Sequence, residues 1–226
     1  MTEQKKLIIW DFDGVLSDSE HLWVEVWYQA LIELRGITLT PDEVQRYLTG
    51  LSIKSKQEYL NTYFDARIDD EFINQALQKE LDIIDAKLEP MADVEQVLKD
   101  DSFNHCLATG GTMALTERKL KKIGLWDKYI KKECCFTSEM VQHGKPAPDL
   151  FLYAADKMGY ALKDCIIIED SLNGIKAALA ADIKVIAFIG AQNNHTKEYA
   201  ATCQKAGAWC VAENMQELHR ILKSIN

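Results

Sequence analysis

No apolar run in this chain approaches the roughly 18 uninterrupted residues that a bilayer-spanning helix requires, so no segment reads as a transmembrane helix. The first residues, Met1-Thr2-Glu3-Gln4, are polar, and the apolar stretch after them is short before it meets Asp11. That is too little for the core of a signal peptide, and a cytoplasmic protein with no membrane partner is expected. Basic residues are in deficit, 26 against 35 acidic ones, for a net charge of −9. Nucleic acid is therefore not an expected partner, and an anionic ligand must be met by a local cation. The six cysteines, Cys106, Cys134, Cys135, Cys165, Cys203 and Cys210, never fall in a CxxC spacing. Several sit in apolar runs, which reads as buried thiols and not as disulfides or a zinc site. Internal repeats and low-complexity segments are missing as well.

What is present is globular: 47% hydrophobic and 27% charged residues over 226 positions, enough for one domain with an insert or for two small ones. The stretch from Leu7 to Ser19 organises the rest. Leu7-Ile8-Ile9-Trp10 reads as a buried strand that delivers Asp11 and Asp13 where Gly14 lets the backbone turn. In a parallel α/β sheet, ligands bind outside the carboxyl ends of the strands. Two carboxylates held together there repel, and a hard cation such as Mg²⁺ between them relieves the repulsion. Taken alone, the same residues also read as a strand followed by a plain Asp-Gly turn.

From Glu20 to about Lys87 the apolar spacing is helical throughout. Leu22, Val26, Ala30 and Leu34, with Trp23, Trp27 and Leu31 beside them, make one broad apolar face on a helix ended by Gly36. Thr40-Pro41-Asp42-Glu43 opens a short helix to about Leu48, and further helices are expected over 55–64 and 70–86. An all-helical block placed directly behind a strand-end carboxylate pair predicts a separate domain, residues 18–88, inserted into an α/β domain built from 1–17 and 89–226. Past Pro90 strands and helices alternate, as a doubly wound parallel sheet requires. Strands are expected over 105–109, 133–137, 165–168, 184–189 and 208–211, and helices over 92–99, 113–123, 148–158, 172–181 and 215–225.

Three later segments carry chemistry. Thr109-Gly110-Gly111 sets a hydroxyl and two small residues at a helix start, where free N–H groups suit a phosphate oxygen, although such a turn needs no ligand. Gly144-Lys145-Pro146-Ala147-Pro148 holds a lysine in a backbone stiffened by proline, a point charge able to neutralise a phosphoryl group or a carboxylate. Ile166-Ile167-Ile168 runs into Glu169-Asp170 and then Ser171. One acid there could cap the next helix, but two of them at a strand end, in a chain with Asp11 and Asp13 at another, look like a cation site.

Asp11-Phe12-Asp13-Gly14-Val15, Thr109-Gly110, Lys145-Pro146 and Glu169-Asp170 resemble, in order and rough spacing, the four signature motifs of the haloacid dehalogenase superfamily. The helical block resembles that family's small cap, and the whole is similar to the branch of β-phosphoglucomutase and the sugar-phosphate phosphatases. The resemblance implies a Rossmann-like core and an Mg²⁺-dependent phosphatase for a small phosphorylated metabolite such as a sugar or polyol phosphate, with a monomer expected. Asp11 would be the nucleophile that forms an aspartyl-phosphate, and Asp13 would protonate the leaving oxygen and then activate water. Mg²⁺ would be held by Asp11, the backbone carbonyl of Asp13 and Asp170, with Glu169 turned toward a metal-bound water. Thr109 and Gly110 would bind phosphoryl oxygens, and Lys145 would offset their charge. Gly50, Ser52 and Lys54 occupy the place of the cap loop that reads the substrate, with Lys56 close by. The cap would close by bending near 17–19 and 87–90.

A hexose-phosphate mutase is the neighbouring alternative. Its cap histidine would fall at Trp23, whereas His21 lies about 200° round the helix, and Ile53 stands near the place of the mutases' arginine. Hydrolysis is therefore expected to win. A receiver-type phosphoacceptor lacks the helical insert, and a non-catalytic module would be expected to have lost one of the four motifs.

Overall fold

The computed structural model describes residues 5–48, 53–191 and 195–225. It divides into two compact units, Met1–Asp18 with Glu89–Asn226, and Ser19–Leu88. The smaller unit consists of α1 (Glu20–Arg35), α2 (Pro41–Leu48), α3 (Ile53–Phe64) and α4 (Asp70–Lys87). Its core is built from the apolar stripes of these helices: Val26, Trp27, Ala30 and Leu31 of α1 meet Val44 and Leu48 of α2, Leu60 of α3, and Phe72, Ile73 and Ala76 of α4. Gly36 ends α1 in the left-handed conformation, φ +67°, as its position suggests. The Asp69 carboxylate caps α4 by accepting from the Phe72 N–H at 2.8 Å, and the same carboxylate pairs with Arg35 at 2.8 Å.

In the larger unit, β1 (Leu7–Trp10) is followed after the helical unit by α5 (Val94–Leu98), β2 (Asn104–Thr109), α6 (Met113–Lys122), β3 (Cys135–Thr137), α7 (Asp149–Met158), β4 (Cys165–Glu169), α8 (Leu172–Ala180), β5 (Lys184–Phe188), α9 (Lys197–Ala206), β6 (Cys210–Ala212) and α10 (Met215–Ser224). The strands form one parallel sheet in the order β3-β2-β1-β4-β5-β6. Continuous apolar runs such as Leu7–Trp10 and Cys165–Ile168 suit strands buried on both faces, and all four residues of β1 are fully buried. Leu7 and Ile9, with Cys106, Ala108, Ile167 and Val185, face Phe151 and Ala154 of α7, Ile175 and Ala178 of α8 and Cys203 of α9. All six cysteines are free thiols.

The chain builds outward from β1 through β2 to β3, then returns to the other flank of β1 and continues through β4, β5 and β6. The reversal falls between β1 and β4, the switch point where such sheets open a crevice. Trp10 pairs with Leu107 on one side and Ile168 on the other, so one residue further on Asp11 comes level with Glu169. The segments leading to and from the helical unit lie side by side. Ser17 pairs with Pro90, the Ser17 hydroxyl donates to the Glu89 carbonyl at 2.7 Å, and the Met91 N–H donates to the Leu16 carbonyl at 2.8 Å.

Some expected bounds shift. The helix expected over 92–99 starts only at Val94, because Asp93 sits at φ +63°, outside helical space. The strand expected over 133–137 is three residues long, since Lys132–Cys134 form a tight 3₁₀ turn before it. The strand at 165 extends through Glu169 and so carries that carboxylate within the sheet. Among the described residues no helix is long and apolar enough to cross a membrane.

Candidate active site

Four segments meet at the carboxyl ends of β1, β2 and β4. The Asp11 N–H continues the ladder by donating to the Ile168 carbonyl at 2.9 Å, after which the chain curls so that the N–H groups of Val15, Leu16 and Ser17 all turn back to the Phe12 carbonyl. Gly14 makes this curl possible at φ +79°. It also has no room for a side chain, because a Cβ there would lie 1.9 Å from an Asp170 carboxylate oxygen. Asp170, just past β4, is thereby brought against the turn that carries Asp11 and Asp13, and its own carbonyl accepts from the Tyr199 hydroxyl at 2.7 Å.

Carboxylate oxygens of Asp11, Glu169 and Asp170 all lie within 4.8 Å of one another, and all three residues are buried. Lys145 sits among them, donating to Asp11 Oδ1 at 2.6 Å and to Glu169 Oε1 at 2.7 Å, with its ammonium 4.8 Å from the centre of the Phe151 ring. The other Glu169 oxygen accepts from the Ser171 N–H at 2.7 Å and the Ser171 hydroxyl at 3.0 Å, and Ser171 Oγ in turn accepts from the Gly174 N–H at 3.0 Å. Glu169 therefore lies across the start of α8, where the helix dipole favours an anion. Gly174 leaves the space for it, since a Cβ there would fall 1.8 Å from Oε1.

The electrostatics follow from burial and crowding. Burial pushes the Asp11 carboxyl up to about 7 from an ordinary 3.8, against the pull of Lys145 and with the adjacent Glu169 adding to the rise. Burial works against the Lys145 ammonium too, but Asp11 and Glu169 outweigh it and raise its pKa, so this lysine stays charged. Three hard carboxylates close together, one of them driven toward its neutral form chiefly by burial, are a donor set that a small divalent cation fits.

Asp13 points elsewhere: its Oδ1 accepts from Lys119 of α6 at 2.8 Å, and its side chain is about half exposed where that of Lys119 is 9% exposed. The Asp13 carboxylate is thus outside the three-acid group, leaving its backbone carbonyl as the ligand the resemblance assigns to it. Thr109 ends β2 and is buried, its Oγ1 receiving a long contact from the Gly111 N–H at 3.4 Å, while Gly110 is exposed just before α6. The Ser138 hydroxyl, which drew no attention in the sequence, donates to the Gly110 carbonyl at 2.8 Å and fixes that loop. Gly50 and Ser52 lie outside the described residues, as does the side chain of Lys54. Lys56 is buried over the rings of Trp23 and Trp27, at 4.2 and 5.3 Å. Lys119 was missed because it stands in a lysine-rich last turn, Lys119-Leu120-Lys121-Lys122, that reads as a solvated helix end. A signal was there: Thr116, Lys119 and Leu120 share the buried stripe of α6.

The chain belongs to the haloacid dehalogenase-like hydrolases, whose family model matches residues 5–182. It is 29% identical over 184 residues, 79% of either chain, to a Drosophila melanogaster protein named probable pseudouridine-5'-phosphatase. It is also 29% identical over 185 residues to hexitol phosphatase A of Escherichia coli, covering 80% of this chain and 82% of that one. Among solved structures, a haloacid dehalogenase-like protein of Agrobacterium tumefaciens superposes with a TM-score of 0.85 at 24% identity, over 98% of this chain and 99% of the other, a likeness of fold.

Proposed function

We propose that this chain is an Mg²⁺-dependent phosphatase that hydrolyses a small phosphorylated sugar or polyol through an aspartyl-phosphate on Asp11. The observation that carries the reading is the buried group at the switch point: Asp11 and Glu169 bridged by Lys145, with Asp170 within 4.8 Å. The names of the relatives point the same way, since pseudouridine 5'-phosphate and hexitol phosphates are both monoesters of polyhydroxylated molecules.

Asp11, Asp170 and the Asp13 backbone carbonyl would hold Mg²⁺, with Glu169 placed behind them. When bound, the ion supplies positive charge that lets a carboxylate and a phosphate dianion approach. Asp11 attacks phosphorus in line while Asp13 gives a proton to the departing oxygen. Asp13 then takes a proton from the water that cleaves the acyl-phosphate. Lys145 holds Asp11 oriented and offsets the incoming charge, and Thr109 and the Gly110 N–H receive phosphoryl oxygens.

The test is a panel of sugar, polyol and nucleoside monophosphates incubated with purified protein and Mg²⁺, with free phosphate and isomerised product followed together. Phosphate release that exhaustive EDTA abolishes and Mg²⁺ restores is expected. Full activity after EDTA would contradict the metal assignment, and isomer forming faster than phosphate would replace hydrolysis by mutase chemistry.

A further inference from the structure

We infer that Lys119 is a positioning residue for leaving-group protonation, acting through Asp13. This rests on the proposed function, in which Asp13 is the general acid.

A lysine in the last turn of a surface helix ordinarily serves the carbonyl end of the helix dipole and stays in water. Lys119 does otherwise. Its neighbours Lys121 and Lys122 are both exposed, but the Lys119 side chain is 9% exposed and its ammonium reaches across to Asp13 Oδ1 at 2.8 Å, 5.6 Å from the centre of the Phe12 ring. Removing an ammonium from water is costly unless a fixed partner compensates it. Here the partner is the second aspartate of Asp11-Phe12-Asp13, so two lysines from distant parts of the chain each hold one of the two aspartates: Lys145 holds Asp11, and Lys119 holds Asp13.

In the first half-reaction an Asp11 oxygen bonds to phosphorus as the bond from phosphorus to the leaving oxygen breaks, and the leaving oxygen takes the Asp13 proton. Asp13 is then a carboxylate. An ammonium fixed on Oδ1 sets the plane of that carboxyl group and bears part of the negative charge that arises on it as the proton leaves. In the second half-reaction water bonds to phosphorus, its proton goes to Asp13, and Asp11 departs as a carboxylate. Lys119 keeps its proton throughout.

A merely structural lysine would affect all substrates alike, whereas one that assists protonation matters in proportion to how badly the leaving group needs the proton. The experiment is a single turnover with enzyme in excess over phenyl phosphate or p-nitrophenyl phosphate, read as phenol or nitrophenol release, which isolates the first half-reaction. Lys119→Met is expected to slow phenol release by roughly thirtyfold and nitrophenol release by less than about threefold, with the half-saturating enzyme concentration for both little changed. Lys119→Arg should recover part of the phenol rate, and Lys119→Gln carries the same comparison if the methionine variant fails to fold. Equal slowing of both substrates, or no slowing of either, overturns the inference and leaves the phosphatase reading standing. Release of neither phenol by wild-type protein, together with no phosphate from any sugar, polyol or nucleoside monophosphate of the panel, overturns both.

Discussion

Two buried lysines in different parts of the molecule are driven in opposite directions. Lys145, among the strand ends, touches two carboxylates at 2.6 and 2.7 Å, and its pKa is raised in spite of burial. Lys56, in the helical unit, lies against the faces of Trp23 and Trp27, and burial pulls it down to about 8, with Glu80 only partly opposing. A carboxylate in contact outweighs desolvation, while an aromatic face, worth about 0.5–2 kcal/mol, does not. The strand ends are an anion-rich site in which Lys145 bridges two of the buried carboxylates. The helical unit has a cation where its core would be content without one.

The largest effect that would break this comparison comes from Lys145→Met. It leaves Asp11 and Glu169 buried without their bridging ammonium, and a loss of about 3–5 kcal/mol is expected in urea unfolding of metal-free protein. Adding Asp11→Asn to that variant should recover much of the loss. Failure of the second change to help would mean that the carboxylates are not the source of the strain.

Next in size is the pH dependence that the Asp11 carboxyl imposes. With its folded value near 7 and its unfolded value near 3.8, the native state binds more protons than the unfolded state between those limits. Stability of metal-free protein should therefore fall as pH rises from about 4 to 7, by on the order of a few kcal/mol. Asp11→Asn should flatten that slope, which urea midpoints across the range would reveal. A slope unchanged in the variant would place its origin elsewhere.

The smallest effect has the opposite sign. Lys56 is held below its unfolded value, so the unfolded state binds the extra proton between about 8 and 10.5, and stability rises with pH in that window. Lys56→Met keeps the packed stem and removes the charge. At pH 7 it should stabilise the protein by about 1 kcal/mol, a few degrees in Tm, and the advantage should fade as pH approaches 10.5. A destabilised variant would show that the contacts with Trp23 and Trp27 win over burial.

The difference between the two regions also marks how far the sequence could be read. The strand-end acids were legible because they interrupt apolar runs, Leu7–Trp10 and Cys165–Ile168, at the one place in a parallel sheet where chemistry collects. The strand order follows less directly, since alternating strands and helices do not say on which flank of β1 each strand lands. The partnerships of the lysines were hidden for a different reason. Lys119 and Lys56 stand on helices, where a long polar side chain reads as solvated unless the phase of the helix is known to within one residue. Lys145 was found because Gly144 and Pro146 flank it, and yet its double bridge to Asp11 and Glu169 depends on three segments far apart in the chain. Glycines at 14 and 174 read as turn and helix residues, while their tighter constraint, room for Asp170 and Glu169, comes only from the packed strand ends.

The central claim is that Asp11 is the nucleophile at this site. Its most direct test is acid quenching of the protein during turnover of its best panel substrate with Mg²⁺, followed by mass spectrometry of the proteolysed chain. The account predicts one phosphoryl group on the peptide containing Asp11 and none in the Asp11→Asn variant, which should fold and be inactive. Phosphate on another residue, or full turnover by Asp11→Asn, would contradict it.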